Sequence, residues 1–162
     1  MTDSERPNIR PVERSDRSAW LTLRHALWPD EPISEQAAEV DSFLAGRPLW
    51  ILGNSPVPFA VLIADSVHQG PIGFVEVSLR PFAEGCGSSP VGYLEGLYVR
   101  PDHRRRGVGS LLIRAAESWA KSKGCQEMAS DTGITNDESA STHKALGYVE
   151  VERDVHFRRK LE

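Results

Sequence analysis

The stretch VRPDHRRRGVGSLLIRAAESWA, residues 99–120, places three consecutive arginines and a Gly-x-Gly directly before a run with helical spacing. The apolar residues of that run recur on one face, which predicts an amphipathic helix that ends at Gly124. A helix N-terminus points unpaired backbone N–H groups and the positive end of its dipole in one direction. The stretch therefore predicts an anion-binding turn, in which Gly107 and Gly109 keep side chains out of the ligand's path.

Two familiar phosphate-binding loops do not fit this turn. A P-loop requires Lys and then Ser or Thr after its second glycine, whereas Gly109 is followed by Ser110 and Leu111. A dinucleotide-binding fingerprint requires a third glycine, and this chain has Leu112 there. From the stretch alone, an arginine-rich surface turn without a ligand stays open as an alternative.

The segments before the turn predict a short extended piece that begins at Asn8, then two helices and three further strands. Asp16 is the predicted N-cap of a first helix that Pro29 stops, and a second helix is predicted between a Ser34 cap and Gly46. Three runs have the apolar patterns of strands, at 59–65, 71–80 and 92–99.

The segments after the turn complete one domain. They predict a strand at 125–131, a helix from an Asn136 cap to a Gly147 stop, and two final strands, YVEVER and VHFRRKL. The order is therefore β, α, α, β, β, β, α, β, α, β, β, without repeats or linkers. This order predicts a single mixed α/β domain over residues 1–162.

The composition of the chain narrows the classes of function. Of its 162 residues, 40% are hydrophobic and 26% are charged, as is typical of a soluble globular protein. Its 19 basic and 23 acidic residues give a net charge of -4, which disfavours nucleic-acid binding. No apolar run is long enough to span a membrane and no signal-peptide pattern begins the chain, so a cytoplasmic protein without membrane association is expected. Cys86 and Cys125 have no metal-binding spacing, so free thiols and no metal are expected.

The motif RRRGVG resembles the (Q/R)xxGx(G/A) motif of the GCN5-related N-acetyltransferases (GNAT), with Arg104, Gly107 and Gly109 at the defined positions. The resemblance implies the GNAT fold, a central, mostly antiparallel sheet that is splayed at the acetyl-CoA site and flanked by about four helices. It also implies acetyl-CoA as cosubstrate, with the pantetheine arm along the backbone of Leu97 and Val99. The pyrophosphate is then expected at the backbone amides of Arg105, Arg106, Gly107, Val108, Gly109 and Ser110.

Longer blocks of the sequence resemble one group within that family, the aminoglycoside 6'-N-acetyltransferases. These blocks are LWP, GFVEVSLR, GCGSSPVGYLEGLYV, KGCQEMASDT and HKALGYVEVER, and they cover both halves of the chain. The resemblance implies transfer of the acetyl group of acetyl-CoA to the 6'-amine of an aminoglycoside, by direct attack in a ternary complex, which gives aminoglycoside resistance. It also implies a homodimer formed through the C-terminal strands.

Glu95 is the acid that best suits a general base for this chemistry. An ammonium substrate must lose a proton before it attacks a thioester. Glu95 is the one acid in an otherwise apolar strand, and the adjacent Gly96 allows a bulge there. A partly desolvated carboxylate at this point is predicted to take the proton directly or through one water. A solvent-facing strand residue is the alternative.

Four further residues are candidates for binding a cationic sugar. The resemblance places Asp131 and Glu152 beside Glu95 as acids for the ammonium groups, and it places Trp28 and Phe82 as apolar walls for the sugar rings. Taken alone, each of the two acids is better explained as an ordinary surface residue, and each of the two aromatic residues fits a core position equally well. Glu76 alternates in the neighbouring strand and is given no role.

Asn136 and His143 are expected near the acetyl-CoA site, because they share one face of the predicted final helix. Many members of the family have Tyr at the position of His143 and use it to protonate the departing thiolate, so this chain departs from the pattern. His143 is predicted to donate that proton or to contact CoA, with a purely structural role as the alternative.

Two other functions stay open from the sequence. The same chemistry fits another amine acceptor, namely a polyamine, a small metabolite or a protein lysine. A non-catalytic acyl-CoA-binding module fits the turn but leaves Glu95 without a purpose.

Overall fold

A five-stranded sheet lies at the centre of the structure, a computed structural model that describes residues 6–161. The strand order is β1-β4-β5-β6-β7, in which neighbours are antiparallel except for the parallel pair β6 and β7. The sheet strands are β1 (Asn8–Pro11), β4 (Phe59–Ser66), β5 (Gly70–Arg80), β6 (Val91–Val99) and β7 (Met128–Ser130). A separate two-stranded hairpin consists of β2 (Ile51–Leu52) and β3 (Ser55–Pro56).

Four α-helices cover the two faces of the sheet. They are α1 (Arg17–Leu27), α2 (Ile33–Leu44), α3 (Val108–Ser122) and α4 (Asp137–Ala145). The apolar face of α3 packs on one side of the sheet, where Leu112, Ile113 and Ala116 are fully buried. Trp20 of α1 and Val40 of α2 are buried on the opposite side. The predicted fold class is confirmed.

Strand β7 pairs with β6 over only three residues, Gly92 to Leu94. Beyond Leu94, β6 continues to Val99 while β7 has ended, so the two strands separate. The predicted splayed sheet is therefore present, and its gap opens toward the N-terminus of α3.

One predicted helix cap is wrong, and a second is right in its position but not in its hydrogen bond. Helix α2 begins at Ile33, directly after Pro32, so Ser34 is already its second residue and cannot be its N-cap. Asp16 does precede α1, but its side chain does not cap that helix. It accepts a hydrogen bond from the backbone N–H of Glu13 and two from Arg10. The predicted Asn136 cap is confirmed, because its side chain accepts a hydrogen bond from the Ser139 amide.

The two predicted C-terminal strands are wrong: residues 148–161 belong to no strand. Their alternating pattern is real, and its apolar members are all exposed. An alternating pattern describes a segment that can pair, but the short β7 offers it no neighbour within the described residues. The exposed apolar side chains are Val149, Val151, Val155, Phe157 and Leu161.

Among residues 6–161, no helix is both long and apolar enough to cross a membrane. Cys86 is half-buried and Cys125 is buried, and both are free thiols as predicted.

Candidate active site

A β-bulge places Glu95 at the centre of the sheet. Glu76 of β5 pairs with Gly96, while the next residue, Val77, pairs with Leu94, so Glu95 is an extra residue in β6. A bulge lets two successive residues face the same side of a sheet. Glu95 and Gly96 both face the side that α1 covers, and the bulge predicted at this glycine is confirmed.

The carboxylate of Glu95 is bound by two neighbours on β5. Arg80 donates from Nε to Oε1 at 3.0 Å and from Nη2 to Oε2 at 2.6 Å, and the buried Ser78 hydroxyl donates to Oε1. Only 9% of the Glu95 side chain is exposed, which rules out the solvent-facing alternative. A carboxylate has about four lone-pair positions, so these three bonds leave room for one further donor.

Asp131 joins this cluster through Tyr93. The Tyr93 hydroxyl donates to Asp131 Oδ1 at 3.0 Å, and the Arg80 guanidinium carbon lies 3.4 Å from the centre of the Tyr93 ring. Burial, followed by the negative charge of Asp131, raises the pKa of Tyr93 to about 12. The phenol therefore stays protonated and keeps donating to Asp131. Because Arg80 binds Glu95 and Tyr93 binds Asp131, the stacked Arg80–Tyr93 pair links the two acids.

Trp28 lies directly against the bulge. A Cβ added to Gly96 would lie 2.5 Å from the Trp28 ring, so only glycine permits this approach. Phe82 is in the loop after β5 with 65% of its surface exposed, and Glu152 is exposed in the C-terminal segment. Within the described residues, Glu152 makes no hydrogen bond or ion pair to the Glu95 cluster. The structure thus brings Trp28 against Gly96, the residue after Glu95, but it does not bring Glu152 into bonding contact.

The free edge of β6 is exposed to the gap beside β7. The backbone N–H of Arg100 donates to Ile72 of β5, and alternate residues of an antiparallel ladder point their backbone groups to opposite sides. Tyr98 and Gly96 therefore point to β5, whereas Leu97 and Val99 point their N–H and C=O groups into the gap. Both residues predicted for the pantetheine arm offer backbone groups on the required side.

The turn after β6 has the backbone of an anion site. Arg105 has φ 57 and Gly107 has φ 79, both in the left-handed region, and such residues turn successive amides toward one side. The first intrahelical bond of α3 runs from the Leu111 amide to the Gly107 carbonyl, at 3.1 Å. The helix therefore leaves three amides at its start without a partner inside it, those of Val108, Gly109 and Ser110.

The three arginines of the turn point in two directions. Arg104 donates from Nε to the Val99 carbonyl and lies over the Tyr98 ring, on the side of the gap. Arg105 and Arg106 instead line a pocket with His68 of the β4–β5 turn. Of the three, only Arg104 has a hydrogen bond to the end of β6 within the described residues.

Asn136 and His143 meet at Ser139, as their shared helix face predicts. The His143 Nδ1 donates to the Ser139 carbonyl at 2.8 Å, and Nε2 lies 3.0 Å from the Ser130 hydroxyl of β7. The imidazole also stands edge-on to Tyr148, with ring centres 5.4 Å apart. Both ring nitrogens have partners, so His143 holds α4 to the strand that borders the gap.

Sequence reasoning missed the groups that hold Glu95 and Trp28. Glu76, Ser78 and Arg80 occupy alternate positions of β5 and so face the same side of the sheet. This spacing could have predicted Ser78 and Arg80 as neighbours of Glu95. Glu76 itself does not face the cleft: it is buried, accepts a hydrogen bond from the Trp20 indole and lies 3.0 Å from Arg24 Nε. Burial raises the pKa of Glu76 to about 7, although Arg24 and Trp20 act in the opposite direction.

No group of three or more metal-ligating side chains occurs in the described part of the chain.

The class of protein follows from three features of the site. They are the edge of β6 that is left open beside β7, the free amides at the start of α3, and the nearly buried carboxylate of Glu95 in β6. The profile of the Acetyltransferase (GNAT) family matches residues 20–148, and the chain belongs to this family. The predicted family is therefore confirmed.

The individual relatives have more particular names. A protein of Klebsiella aerogenes named aminoglycoside N(6')-acetyltransferase type 1 is 46% identical over 155 residues, covering 96% of this chain and 97% of its own. The solved structure of AAC(6')-Iy in complex with the bisubstrate analogue CoA-S-monomethyl-acetylneamine has a TM-score of 0.82 at 37% identity, over 95% of this chain and 98% of that one. A complex of AAC(6')-Iy with CoA has a TM-score of 0.84 at 35% identity, over 99% of both chains.

Proposed function

We propose that this protein transfers the acetyl group of acetyl-CoA to the 6'-amine of aminoglycosides, by direct attack in a ternary complex. The observation that carries the proposal is the place of Glu95, a nearly buried carboxylate in a bulge two residues before Leu97, whose backbone groups face the gap. The near full-length relatives named for this activity support the acceptor. Acetylation converts a cationic amine of the antibiotic into a neutral amide. Because the antibiotic uses that positive charge to bind its target, the loss of the charge gives resistance.

The donor end of the site is assigned to β6 and the start of α3. The backbone groups of Leu97 and Val99 pair with the pantetheine arm, as a strand adds to an open sheet edge. The helix start binds the pyrophosphate, because its free amides and the helix dipole favour an anion. Its donors are the amides of Arg105, Arg106, Gly107, Val108, Gly109 and Ser110, with Arg104 and Asn136 beside them.

The acceptor end is assigned to the side of the sheet that faces α1. Glu95 and Asp131 attract the ammonium groups of the sugar, and Trp28 provides an apolar wall at the bulge. Phe82 and Glu152 complete the acceptor site from the exposed loop and the C-terminal segment.

The chemical step uses Glu95 as general base. Its remaining lone-pair position accepts a proton from the 6'-ammonium, directly or through one water. The free amine then attacks the thioester carbonyl carbon, whose oxygen the Leu97 amide polarises. As the C–N bond is completed, the nitrogen releases its second proton to water, the C–S bond breaks and the CoA thiolate leaves.

The departing thiolate takes a proton from His143 or from water. His143 borders the gap through Ser130, but its Nδ1 proton is already donated to Ser139. A donor role therefore requires a proton on Nε2, the nitrogen that faces Ser130.

The wider assignment is a single domain over residues 1–162 that acts in the cytoplasm as a homodimer, without nucleic acid or membrane. The exposed alternating side chains of residues 149–161 support the dimer, because a second chain supplies the neighbouring strand that this segment lacks.

One assay tests the acceptor. The purified protein is given acetyl-CoA and either a kanamycin-type aminoglycoside with a 6'-amine or an aminoglycoside with a 6'-hydroxyl; a polyamine and a lysine peptide are further arms. CoA release is expected with the 6'-amine alone. Turnover confined to the peptide or polyamine would keep the chemistry and overturn the acceptor. Tight CoA binding without turnover of any amine would favour a non-catalytic module.

A further inference from the structure

Arg24 of α1 is buried between that helix and the side of the sheet that carries Glu95. It contacts α2, β5 and two tryptophan rings. Its Nη2 donates to Glu39 of α2 at 2.8 Å, and its Nε lies 3.0 Å from Glu76 of β5. Its guanidinium carbon also lies 5.1 Å from the centre of the Trp28 ring and 5.9 Å from that of Trp20. The guanidinium is therefore held in a fixed plane beside two indoles.

Two groups contact the Trp28 indole. The Trp28 ring lies against Gly96 at the bulge, and Arg24 packs on the same indole. The Trp28 carbonyl is fixed as well, because it accepts a hydrogen bond of 2.8 Å from Gln36. Small movements of the guanidinium would consequently move the indole relative to the bulge that carries Glu95.

The energetics of the pair do not suggest a role in stability alone. A buried ion pair is often no more stabilising than apolar residues of the same volume. Here the pair is also imperfect, since Arg24 Nε and Nη1 have no aligned hydrogen-bond acceptor within the described residues. Stability alone therefore explains the buried Arg24 poorly, and a role in positioning the side chains that it contacts explains it better.

We propose that Arg24 and Glu76 are positioning residues, which hold the Trp28 indole against Gly96 and so set the shape of the acceptor cleft. This inference rests on the proposed function, because it assigns the cleft to an aminoglycoside. Glu76 keeps Arg24 in place, Arg24 keeps Trp28 in place, and neither touches the substrate. Their loss is therefore expected to weaken acceptor binding and to leave the binding of acetyl-CoA unchanged.

Two variants test the inference. Both variants are assayed at pH 8, above the pKa of Glu76, so that the wild-type ion pair is formed. Arg24→Lys keeps the charge but removes the planar face that packs on Trp28, and Glu76→Gln keeps the shape and the Trp20 hydrogen bond but removes the charge. We expect each to raise the KM for the aminoglycoside about tenfold, with the KM for acetyl-CoA within about twofold, in the range of a lost contact of this type. The matched control is Arg17→Lys, which weakens the exposed Arg17–Asp41 pair between the same two helices and is expected to change neither KM.

A second measurement needs no substrate. In protein labelled with 5-fluorotryptophan, the fluorine resonance of Trp28, assigned by Trp28→Phe, is expected to shift in Arg24→Lys and in Glu76→Gln but not in Arg17→Lys. An unchanged Trp28 resonance in a folded Glu76→Gln protein overturns the proposal, as does an equal rise of both KM values. If the resonance shifts but the wild-type protein acetylates no aminoglycoside, the positioning of Trp28 stands and the acceptor assignment is overturned.

Discussion

Glu95 combines burial with a strong ion pair, and this combination bears directly on its proposed role. Arg80 and Ser78 occupy three of its lone-pair positions and hold the carboxylate in one orientation. Because 39% of the Arg80 side chain is exposed, the arginine can adjust when a cationic substrate arrives, whereas the buried Ser78 cannot. The carboxylate is thus oriented in advance for a single incoming donor.

The first prediction concerns Glu95. Glu95→Gln keeps the shape of the side chain but removes its proton affinity, so kcat/KM for the aminoglycoside should fall at least about a hundredfold, the usual contribution of one acid–base group. Steady-state kinetics with acetyl-CoA as the fixed substrate measure this fall. The KM for acetyl-CoA should stay close to that of the wild type, and near-wild-type turnover by the folded variant would remove Glu95 from the role of base.

The second prediction concerns His143. Since both of its ring nitrogens already bind Ser139 and Ser130, its main effect should be to hold α4 to β7. His143→Ala should lower kcat by less than about tenfold, below the range expected for an essential acid. Ser130→Ala is the matched control, because it removes the partner of Nε2 alone. A loss of kcat as large as that of Glu95→Gln would show that His143 donates the proton.

At the scale of elements, the junction of β1 and α1 is held by Asp16. Its carboxylate accepts bonds of 2.7 and 2.9 Å from Arg10, and Arg10 also binds Asp65 at the end of β4. The hydrogen bond from Arg10 is the main cause that holds the pKa of Asp16 below its ordinary value of 3.8. Asp16 therefore stabilises the fold only when it is ionised.

The third prediction is a pH-dependent stability difference at this junction. Asp16→Asn should lower the free energy of unfolding by about 2 kcal/mol at pH 7, the usual cost of losing a hydrogen-bonded charge. A group with a depressed folded-state pKa contributes fully above its unfolded pKa and loses its effect as the pH falls through the folded one. Urea unfolding should thus show that the difference in the free energy of unfolding between the wild type and Asp16→Asn becomes smaller below pH 4.

The exposed pair of Arg17 and Asp41 is the control for that measurement. Asp41→Asn removes an exposed ion pair between the neighbouring helices, and water screens such a pair, so the free energy of unfolding should change little at any pH. A stability gap for Asp16→Asn that stays constant from pH 7 into the acid range would contradict the assigned charge effect.

The elements that the sequence predicts well are those whose signals lie within a few residues. The apolar face of α3, the Asn136 cap and the bulge at Gly96 are local patterns of this kind. Contacts between distant segments are not, and the bond between Trp20 and Glu76, 56 positions apart, has no local signal. The two final strands fail for a related reason, since alternation does not reveal whether a partner strand exists.

At the scale of the whole molecule, β6 carries both parts of the proposed site, the general base and the binding edge for acetyl-CoA. Its middle carries the bulge with Glu95 on the side of α1, and its last residues open their backbone to the gap beside β7. The proposed sites of the acceptor amine and of the acetyl donor therefore lie next to each other along one strand. The C-terminal segment approaches this region as well, because Val151 packs on Gly85 of the loop after β5.

The last prediction concerns assembly. Residues 149–161 carry exposed apolar side chains in an alternating pattern, which would share one side if the segment paired as a strand, and Phe157 is 93% exposed. If a second copy covers this side, Phe157→Asp should convert a dimer into a monomer, because it places a charge in the apolar contact. Sedimentation velocity over a range of micromolar concentrations measures the change.

The adjacent residue gives a control of the same kind. His156 lies on the opposite side of the alternation, so His156→Asp adds the same side chain where no contact is expected. The wild type and His156→Asp should both sediment as dimers, while Phe157→Asp sediments as a monomer. A wild-type protein that is monomeric at every concentration, or equal dissociation by both variants, would exclude the dimer through this segment. Loss of aminoglycoside turnover only in Phe157→Asp would further show that the acceptor site, with Glu152 in the same segment, depends on the partner for its shape.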